Sequence, residues 1–221
     1  MDKRRLLQHV QANMVGFVDD EHDEELLERV LKAMDAVDRR HFVSYREEAY
    51  LDTALPISTG QTISQPSTVA RMLLLLKPER GDDVLEAGAG SGWQAALLAW
   101  LVHPGKVVTL DLTDNSIGLA RENLSKAKKA IKTRTSIIDS VDVRKENVYD
   151  HEGRYDRVVI TAGITEDQEQ DLKKLARRLL KDQGRLVCPY RSGPMLTIDR
   201  QGADLVVSRT PEHYLFVPLQ R

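Results

Sequence analysis

Cysteine is almost absent from this sequence, with Cys188 as the one example among 221 residues. A single cysteine cannot close an internal disulfide, and it cannot build a thiolate metal cluster. The chain therefore carries no mark of an oxidising compartment, and Cys188, inside an apolar run, is expected to be an inert core thiol. The six histidines have neither the spacing of a metal-binding helix nor a cysteine partner, so we expect no metal cofactor.

The sequence also lacks an excess of charge of either sign and a long hydrophobic run. Thirty-two basic and thirty-four acidic residues give a net charge of −2 at pH 7. A nearly neutral chain offers little bulk attraction to nucleic acids or anionic membranes. The longest apolar stretch, residues 95–102, is far shorter than the roughly 20 residues of a transmembrane helix, and the N-terminus turns polar before a signal peptide could form. We expect a soluble, cytoplasmic, monomeric protein.

From residue 81 onward, short apolar strands alternate with amphipathic helices. Strands are expected at residues 83–87, 106–112, 141–145, 157–162 and 185–189, and helices at residues 93–102, 114–130 and 167–181. This alternation predicts an α/β fold with a doubly wound, mostly parallel Rossmann-like sheet. Gly184 is expected to end the last helix. Three further strands, at residues 196–200, 205–208 and 214–219, have no helices between them and should form an antiparallel C-terminal edge.

Residues 1–80 carry helical apolar stripes instead, around residues 6–14, 26–37 and 69–76. Residues 50–66 contain two prolines and a glycine and are expected to form an ordered loop. A helical unit this small is better interpreted as a cap than as a separate domain. We therefore expect one domain over residues 1–221, made of a helical cap with a loop (1–80), an α/β core (81–190) and C-terminal antiparallel strands (191–221).

A glycine-rich turn directly follows the first strand of the core and precedes a helix. It reads EAGAGSG at residues 86–92, with three glycines at alternate positions, so the backbone can bend tightly and approach a ligand. Asp111, at the end of the next strand, is placed to accept hydrogen bonds from both hydroxyls of a ribose. Ligands of open α/β sheets bind at the carboxyl edge of the strands. The two features predict a site for an adenosine-containing cofactor; the alternative is a tight turn without a ligand.

The same residues distinguish between NAD and S-adenosylmethionine. A dinucleotide site has the spacing G-x-G-x-x-G, whereas the spacing here is G-x-G-x-G. Glu86 stands two residues before the first glycine, where it would repel a pyrophosphate but attract the ammonium group of S-adenosylmethionine. The charge of this residue favours the methyl donor.

A further motif lies upstream, in the run LPISTGQTISQP at residues 55–66. Together with EAGAGSGWQAA at residues 86–96, it resembles the protein-L-isoaspartate O-methyltransferases, and further similar segments follow at residues 155–158, 184–187 and 216–219. The similarity extends in the family's order from about residue 30 to the C-terminus. The loop is the specific part, because unrelated methyltransferases share the glycine turn but not this loop.

This resemblance implies a protein-repair enzyme that transfers a methyl group from S-adenosylmethionine to the α-carboxylate of an L-isoaspartyl residue in a damaged protein or peptide. The ester then collapses to a succinimide, which returns some chains to a normal aspartyl linkage. Ser64 matches the family's active-site serine. Six residues are implied to lie near the peptide: Thr62, Ile63, Ser64, Val217, Pro218 and Leu219. The implied cofactor-binding residues are Gln61, Thr62, Ile63, Ser64, Glu86, Gly88, Gly90, Ser91, Gly92, Asp111, Leu112, Glu146, Asn147 and Gln220.

Such a reaction needs little acid–base chemistry. A carboxylate is already ionised at neutral pH and a sulfonium is a good leaving group, so the protein has to align the reactants and exclude water. Ser64 would orient the carboxylate by a hydrogen bond. The loop contains no basic residue, whose charge would dull the nucleophile.

Three segments depart from the family's pattern. Glu146-Asn147 stands where the family has Gly-Asp, whose acid holds the adenine amino group, and Asn147 can accept that bond through its amide oxygen. Residues 161–165 replace an alanine-rich, proline-containing segment at the mouth of the site. Gln220 replaces a small residue or threonine.

The residues leave three other functions open: methylation of a different carboxylate, cofactor binding without catalysis, and RNA methylation. The last would use the basic run Arg121, Lys126, Lys128, Lys129, Lys132 and Arg134. Such a run on an amphipathic helix is more typical of a solvated face, and the near-zero net charge disfavours RNA. Ser64 lacks the G-x-S-x-G context of a hydrolase nucleophile.

Overall fold

The computed structural model of this chain describes residues 2–57, 60–131 and 136–220. The sequence predictions that involve Ser58, Thr59, Lys132 and Arg134 lie outside the described residues.

The N-terminal part is helical, as the apolar stripes predict. It contains α1 (Lys3–Met14), α2 (Glu21–Ala36) and α3 (Pro66–Leu76), with 3-10 turns at Val15–Phe17, Arg39–His41 and Arg46–Glu48. Asp2 and Asp20 cap α1 and α2 through their side chains. The second helix, α2, packs against α1 and α3 and against the first helix of the core.

The segment between α2 and α3 is predicted as a loop, and it also contains a small hairpin. Two short strands, β1 (Leu55–Pro56) and β2 (Thr62–Ile63), pair in antiparallel fashion. Strands of two residues are too short to give a periodic signal in the sequence, so their pairing is visible only in the folded chain.

The core contains the strands β3 (Val84–Ala87), β4 (Val107–Asp111), β5 (Val141–Lys145), β6 (Tyr155–Ile160) and β7 (Leu180–Pro189). Its helices are α4 (Trp93–Val102), α5 (Asp114–Ala130), α6 (Ser136–Asp139) and α7 (Glu169–Leu179), and a 3-10 turn at Glu166–Gln168 precedes α7. After β7 come β8 (Ser192–Gly193), β9 (Met195–Gln201), β10 (Asp204–Arg209) and β11 (Tyr214–Leu215).

Seven of these strands form one sheet in the order β10-β9-β7-β6-β3-β4-β5. The five strands from β7 to β5 are parallel, and β9 and β10 add an antiparallel edge. The predicted α/β fold with a mostly parallel sheet and an antiparallel C-terminal edge is therefore confirmed. The chain runs from β3 outward through β4 to β5 and then returns to the other side of β3 with β6. This reversal creates a switch point at the carboxyl end of β3, where α/β sheets bind ligands.

Three predicted boundaries are wrong. The helix α7 ends at Leu179, because Leu180 is already extended and begins β7, and Gly184 lies inside that strand instead of ending the helix. A Cβ at Gly184 would lie 2.9 Å from the Lys181 carbonyl oxygen, so a close backbone approach requires this glycine. The strand β6 is shifted by two residues toward the N-terminus.

The third wrong boundary concerns residues 214–219, which do not form a single strand. Tyr214–Leu215 pairs with Ser192–Gly193 outside the main sheet, and Pro218 makes only an isolated bridge to Gly163. Proline has no N–H to donate to a regular ladder, which explains why the pairing is interrupted.

Candidate active site

A cavity of about 900 Å³ opens at the carboxyl ends of β3, β4 and β5. Its walls come from the loop after β1, the glycine turn, the ends of the three strands and the C-terminal segment. The predicted site residues that line it are Gln61, Thr62, Ile63, Ser64, Glu86, Gly88, Gly90, Ser91, Asp111, Leu112, Glu146, Asn147, Val217, Pro218, Leu219 and Gln220. The fold thus brings together residues more than 150 positions apart in the sequence, as a shared site for cofactor and acceptor requires.

Gly92 is the one predicted site residue that does not line this cavity. It has a φ of 84° and caps the N-terminus of α4. A Cβ at this position would lie 3.2 Å from the carbonyl oxygen of Ala120 in α5. The glycine therefore serves the packing of two helices, and its contact with a cofactor stays a prediction.

Glu86 lies in β3, and its side chain is buried with 1% exposure. Its Oε2 accepts a 2.6 Å hydrogen bond from the hydroxyl of Thr109, its neighbour in β4. Its Oε1 has no hydrogen-bond partner among the described residues. Burial raises the pKa of Glu86 to about 8, against the lowering effect of Thr109 and with a further raising effect from the charge of Asp111. An unpartnered, buried carboxyl oxygen is costly, and a cationic donor would satisfy it best.

Asp111 ties the end of β4 to the glycine turn. Its Oδ2 accepts a 3.1 Å hydrogen bond from the backbone N–H of Gly90, and its Oδ1 accepts a 2.8 Å bond from that of Leu112. Each carboxylate oxygen has a second lone pair. The side chain is thus held in place by backbone donors and can still accept hydrogen bonds from two hydroxyls.

The glycine turn packs between the end of β4 and the loop that follows β6. The N–H groups of Gly88 and Ala89 both donate to the Leu110 carbonyl, at 2.8 and 2.9 Å. Gly88 has a φ of 105°, and a Cβ there would lie 2.1 Å from Oγ1 of Thr161. A side chain at this position would therefore displace the turn from the cavity wall.

The loop that carries Ser64 closes another wall. The Ser64 hydroxyl makes no hydrogen bond to any described residue, whereas its carbonyl accepts a 3.0 Å bond from Arg39. Gln61, earlier in the same loop, accepts a 3.4 Å hydrogen bond from Ser116 near the start of α5. This serine thus lines the cavity, and its hydroxyl has no partner in the described part of the chain.

The Glu146-Asn147 pair lies at the end of β5. The amide oxygen of Asn147 accepts a 3.0 Å hydrogen bond from the Tyr149 N–H, so one of its lone pairs is already used. A carboxyl oxygen of Glu146 lies 3.0 Å from Nδ1 of the buried His151, without the geometry of a hydrogen bond. Nε2 of His151 lies 2.7 Å from the hydroxyl of Tyr155.

The C-terminal segment is held by the loop at residues 161–165. The N–H of Gly163 donates to the Val217 carbonyl at 2.7 Å, and the N–H of Leu219 donates to the Gly163 carbonyl at 2.8 Å. Leu215 and Val217 remain 79% and 43% exposed beside the cavity. They form an apolar rim of the cavity.

Sequence reasoning missed Thr109 and Gln94. Gln94 also lines the cavity, and its Nε2 is buried without a hydrogen-bond partner among the described residues. Thr109 interrupts the apolar run VVTL of β4, and Gln94 is the single polar residue of WQAALLAWLV in α4. A polar residue in such a place usually has a partner or a function, and this was the available signal.

The charges along the wall have one sign. Among the described residues, the cavity is lined by three carboxylates, Glu86, Asp111 and Glu146, and by one imidazole, His213, but by no lysine or arginine. Such a wall suits a cationic small molecule. No group of three or more His, Cys, Asp or Glu side chains in the described part of the chain is arranged to hold a metal ion, and none of its helices is both long and apolar enough to cross a bilayer.

The sheet order, with a glycine turn between a buried acid and a second acid on the neighbouring strand, defines a Rossmann-like α/β fold with a cavity at its switch point. A crystal structure described as a beta-aspartate methyltransferase from Plasmodium falciparum, in complex with S-adenosyl-L-homocysteine, superposes with a TM-score of 0.78. The match covers 100% of this chain and 99% of the other, at 22% sequence identity, and it establishes the common fold.

Sequence comparison identifies the family. The family model for protein-L-isoaspartate(D-aspartate) O-methyltransferase matches residues 15–221. The protein-L-isoaspartate O-methyltransferase of Methanopyrus kandleri is 40% identical, over 73% of this chain and 68% of the relative. That of Staphylothermus marinus is 35% identical, over 87% of this chain and 86% of the relative. The chain belongs to the protein-L-isoaspartate(D-aspartate) O-methyltransferase family, and both the resemblance and the enzyme class expected from the sequence are confirmed.

Proposed function

We propose that this protein transfers a methyl group from S-adenosylmethionine to the α-carboxylate of an L-isoaspartyl residue in damaged proteins or peptides. Besides family membership, one observation carries the proposal. Glu86, with its unpartnered buried oxygen, and Ser64, with its free hydroxyl, line the same cavity, which has no described lysine or arginine in its wall.

The residues of the cavity fit S-adenosylmethionine. Oε1 of Glu86 would accept from the ammonium group, and Asp111 from the ribose hydroxyls. The Glu146-Asn147 pair would lie beside adenine, because β5 is the next strand beyond β4 in the direction that runs from Glu86 to Asp111. When bound, the cofactor supplies a methyl group that is activated by a positively charged sulfur.

The protein's own contribution is alignment. The Ser64 hydroxyl would donate to one oxygen of the acceptor carboxylate and leave the other oxygen to attack. No base is needed, because the acceptor is already ionised near neutral pH. An arginine in the cavity wall would hold the carboxylate tightly and reduce its reactivity, so the absence of lysine and arginine from the described lining supports this role. Fixing both reactants in a near-attack arrangement is worth several orders of magnitude in rate.

The peptide would lie along Thr62, Ile63 and the C-terminal residues Val217, Pro218 and Leu219. The apolar rim at Leu215 and Val217 would cover its flanking side chains. After methylation, the following peptide nitrogen of the substrate attacks the ester carbonyl and methanol leaves, which forms the succinimide without further help from the protein.

The proposal is tested with two peptides that differ only in an isoaspartyl or a normal aspartyl linkage. Both are incubated with methyl-labelled S-adenosylmethionine, and base-labile methyl ester is measured as released methanol. We expect label on the isoaspartyl peptide only. Equal labelling of both peptides would indicate another carboxylate, and cofactor binding without any label would indicate a non-catalytic relative.

We further propose that the protein acts as a cytoplasmic monomer, folded as one domain, with no nucleic-acid or membrane partner. Members of the basic run support the absence of a nucleic-acid partner, since Lys126 is paired with Glu122, Lys128 with Asp139, and Arg121 donates to a backbone carbonyl. Sedimentation at increasing protein concentration tests the monomer, and RNA titration at low salt tests the absence of a nucleic-acid partner.

A further inference from the structure

Arg39 is a buried arginine behind the active-site loop. It lies in the 3-10 turn after α2, is 2% exposed, and donates four hydrogen bonds, all to backbone carbonyls. Nη1 donates to Ala49 and Leu51, both at 3.1 Å, and Nη2 donates to Thr53 and Ser64, both at 3.0 Å. One guanidinium thus joins the segment 49–53 to the residue expected to orient the acceptor.

The same guanidinium also contacts a lining residue from a different element, Trp93 of α4. It lies 5.3 Å from the ring centroid of Trp93, within the range of a cation–π contact. Trp93 lines the cavity at the start of α4, and its Nε1 donates a 3.1 Å hydrogen bond to the Val37 carbonyl. Burying a guanidinium is costly. The guanidinium contacts both the loop that carries Ser64 and the ring of Trp93, which a smaller apolar side chain could not do.

Asp52 holds the residues that follow Ser64. Its side chain is 5% exposed, and its Oδ1 accepts a 2.8 Å bond from the Ser67 N–H. Its Oδ2 accepts from the Ser67 hydroxyl at 2.7 Å and from Gln65 Nε2 at 3.1 Å. Gln65 provides no side-chain cap for α3, so Asp52 supplies this cap from the preceding loop. The backbone at Ser64 is therefore fixed immediately before the helix.

We propose that Arg39 is a positioning residue that sets the Ser64 hydroxyl toward the acceptor, with Asp52 as the second anchor of the same loop. Arg39 does not line the cavity, so it can fix the serine without placing its charge on the acceptor carboxylate. The inference rests on the proposed methyl transfer. The loop that carries Ser64 contains no basic residue, and Arg39 holds it from behind, where the positive charge does not touch the reactants.

The test compares Arg39→Lys with Arg200→Lys. Lysine keeps the charge but has one nitrogen, which cannot reach four carbonyls in a planar fork. Arg200 is a matched control, because it also binds carbonyls, those of Arg177, Leu180 and Gly202, but lies in β9 outside the cavity. The assay temperature is one at which thermal melting curves show both variants to be folded. At that temperature we expect kcat for the isoaspartyl peptide to fall about tenfold or more in Arg39→Lys. We expect it to stay within about twofold of the parent protein in Arg200→Lys.

Two further readouts separate positioning from general stability. The dissociation constant of S-adenosylhomocysteine should change by no more than about twofold in Arg39→Lys, because Glu86 and Asp111 are untouched. Amide hydrogen exchange over residues 60–65 should be faster in Arg39→Lys than in Arg200→Lys. Equal kcat values in the two variants would overturn the inference, and so would a loss of cofactor affinity that matches the loss of kcat.

Asp52→Asn decides the matter if Arg39→Lys does not fold. This variant keeps an oxygen for the Ser67 N–H but places a donor against the Ser67 hydroxyl and Gln65. A lower kcat with unchanged S-adenosylhomocysteine affinity supports the inference, and an unchanged kcat overturns it. A parent protein that binds S-adenosylhomocysteine but does not methylate the isoaspartyl peptide would instead refute the proposed function.

Discussion

The hydroxyl of Thr109 donates a 2.6 Å hydrogen bond to one carboxyl oxygen of Glu86, while the other oxygen of Glu86 has no partner among the described residues. The two residues face each other in register on neighbouring parallel strands. The threonine fixes the orientation of the carboxyl group, so the unpartnered oxygen has a defined position. Protonation of Glu86 and binding of a cation at that oxygen are therefore competing events.

This competition predicts a pH-dependent affinity for S-adenosylhomocysteine, which has the same amino-acid tail as the methyl donor. Burial raises the pKa of Glu86 to about 8, so the free protein holds this proton near neutral pH. A bound ammonium group stabilises the ionised carboxylate and lowers its pKa, so binding releases the proton. We expect the association constant to rise up to about tenfold per pH unit toward pH 8 and then to level off.

Calorimetry in two buffers of different ionisation enthalpy measures the released proton directly. Glu86→Gln is the control, because it has no proton to release and should bind S-adenosylhomocysteine weakly with no such release. A parent protein whose affinity is independent of pH below 8 would show that the tail does not bind at Glu86.

Ser64→Ala should lower kcat for the isoaspartyl peptide by about tenfold to a hundredfold, which is the worth of a hydrogen bond to a charged group. Cofactor affinity should stay close to that of the parent protein, because the hydroxyl makes no hydrogen bond to a described residue. Steady-state kinetics and calorimetry with S-adenosylhomocysteine provide the two numbers. Equal losses in both would show that Ser64 belongs to the cofactor site and not to the acceptor site.

Asp111→Ala should weaken S-adenosylhomocysteine binding by at least about tenfold. Two ribose hydroxyls lose their acceptor, and the N–H groups of Gly90 and Leu112 lose theirs. Asp111→Asn, which keeps one acceptor oxygen, should lie between the two proteins. An affinity that is unchanged in the alanine variant would contradict the assignment of β4 to the ribose.

Gly163→Ala should raise KM for the isoaspartyl peptide several-fold without a change in cofactor affinity. A Cβ at this position would lie 2.5 Å from backbone atoms of Arg191, so the bonds from Gly163 to Val217 and Leu219 would be displaced. Gly118→Ala is the matched control, because nothing lies within 4 Å of its Cβ position in α5. An unchanged KM in Gly163→Ala would argue against a peptide contact at residues 217–219.

Local signals account for the elements that were predicted well. The bounds of α5 follow from its apolar periodicity and from the cap at Thr113, and those of α4 follow from an apolar run that begins directly after the glycine turn; these are properties of neighbouring residues. The end of α7 was misplaced because the strand β7 begins at Leu180 through its pairing with Tyr155, which a local reading of Gly184 cannot include. The same limit applies to Gly92, which looks like part of a ligand turn but packs against Ala120.

The sequence by itself determined the family, the alternation of strands and helices, and the acids and glycines of the cavity, because each depends on residue types at short spacing. Only the tertiary structure decided the pKa of Glu86 and the place of Arg39. Residues distant in the chain bury the carboxyl group of Glu86 and supply the four carbonyls that the Arg39 guanidinium binds. Both effects depend on distances that exist only after the sheet and the helices have packed.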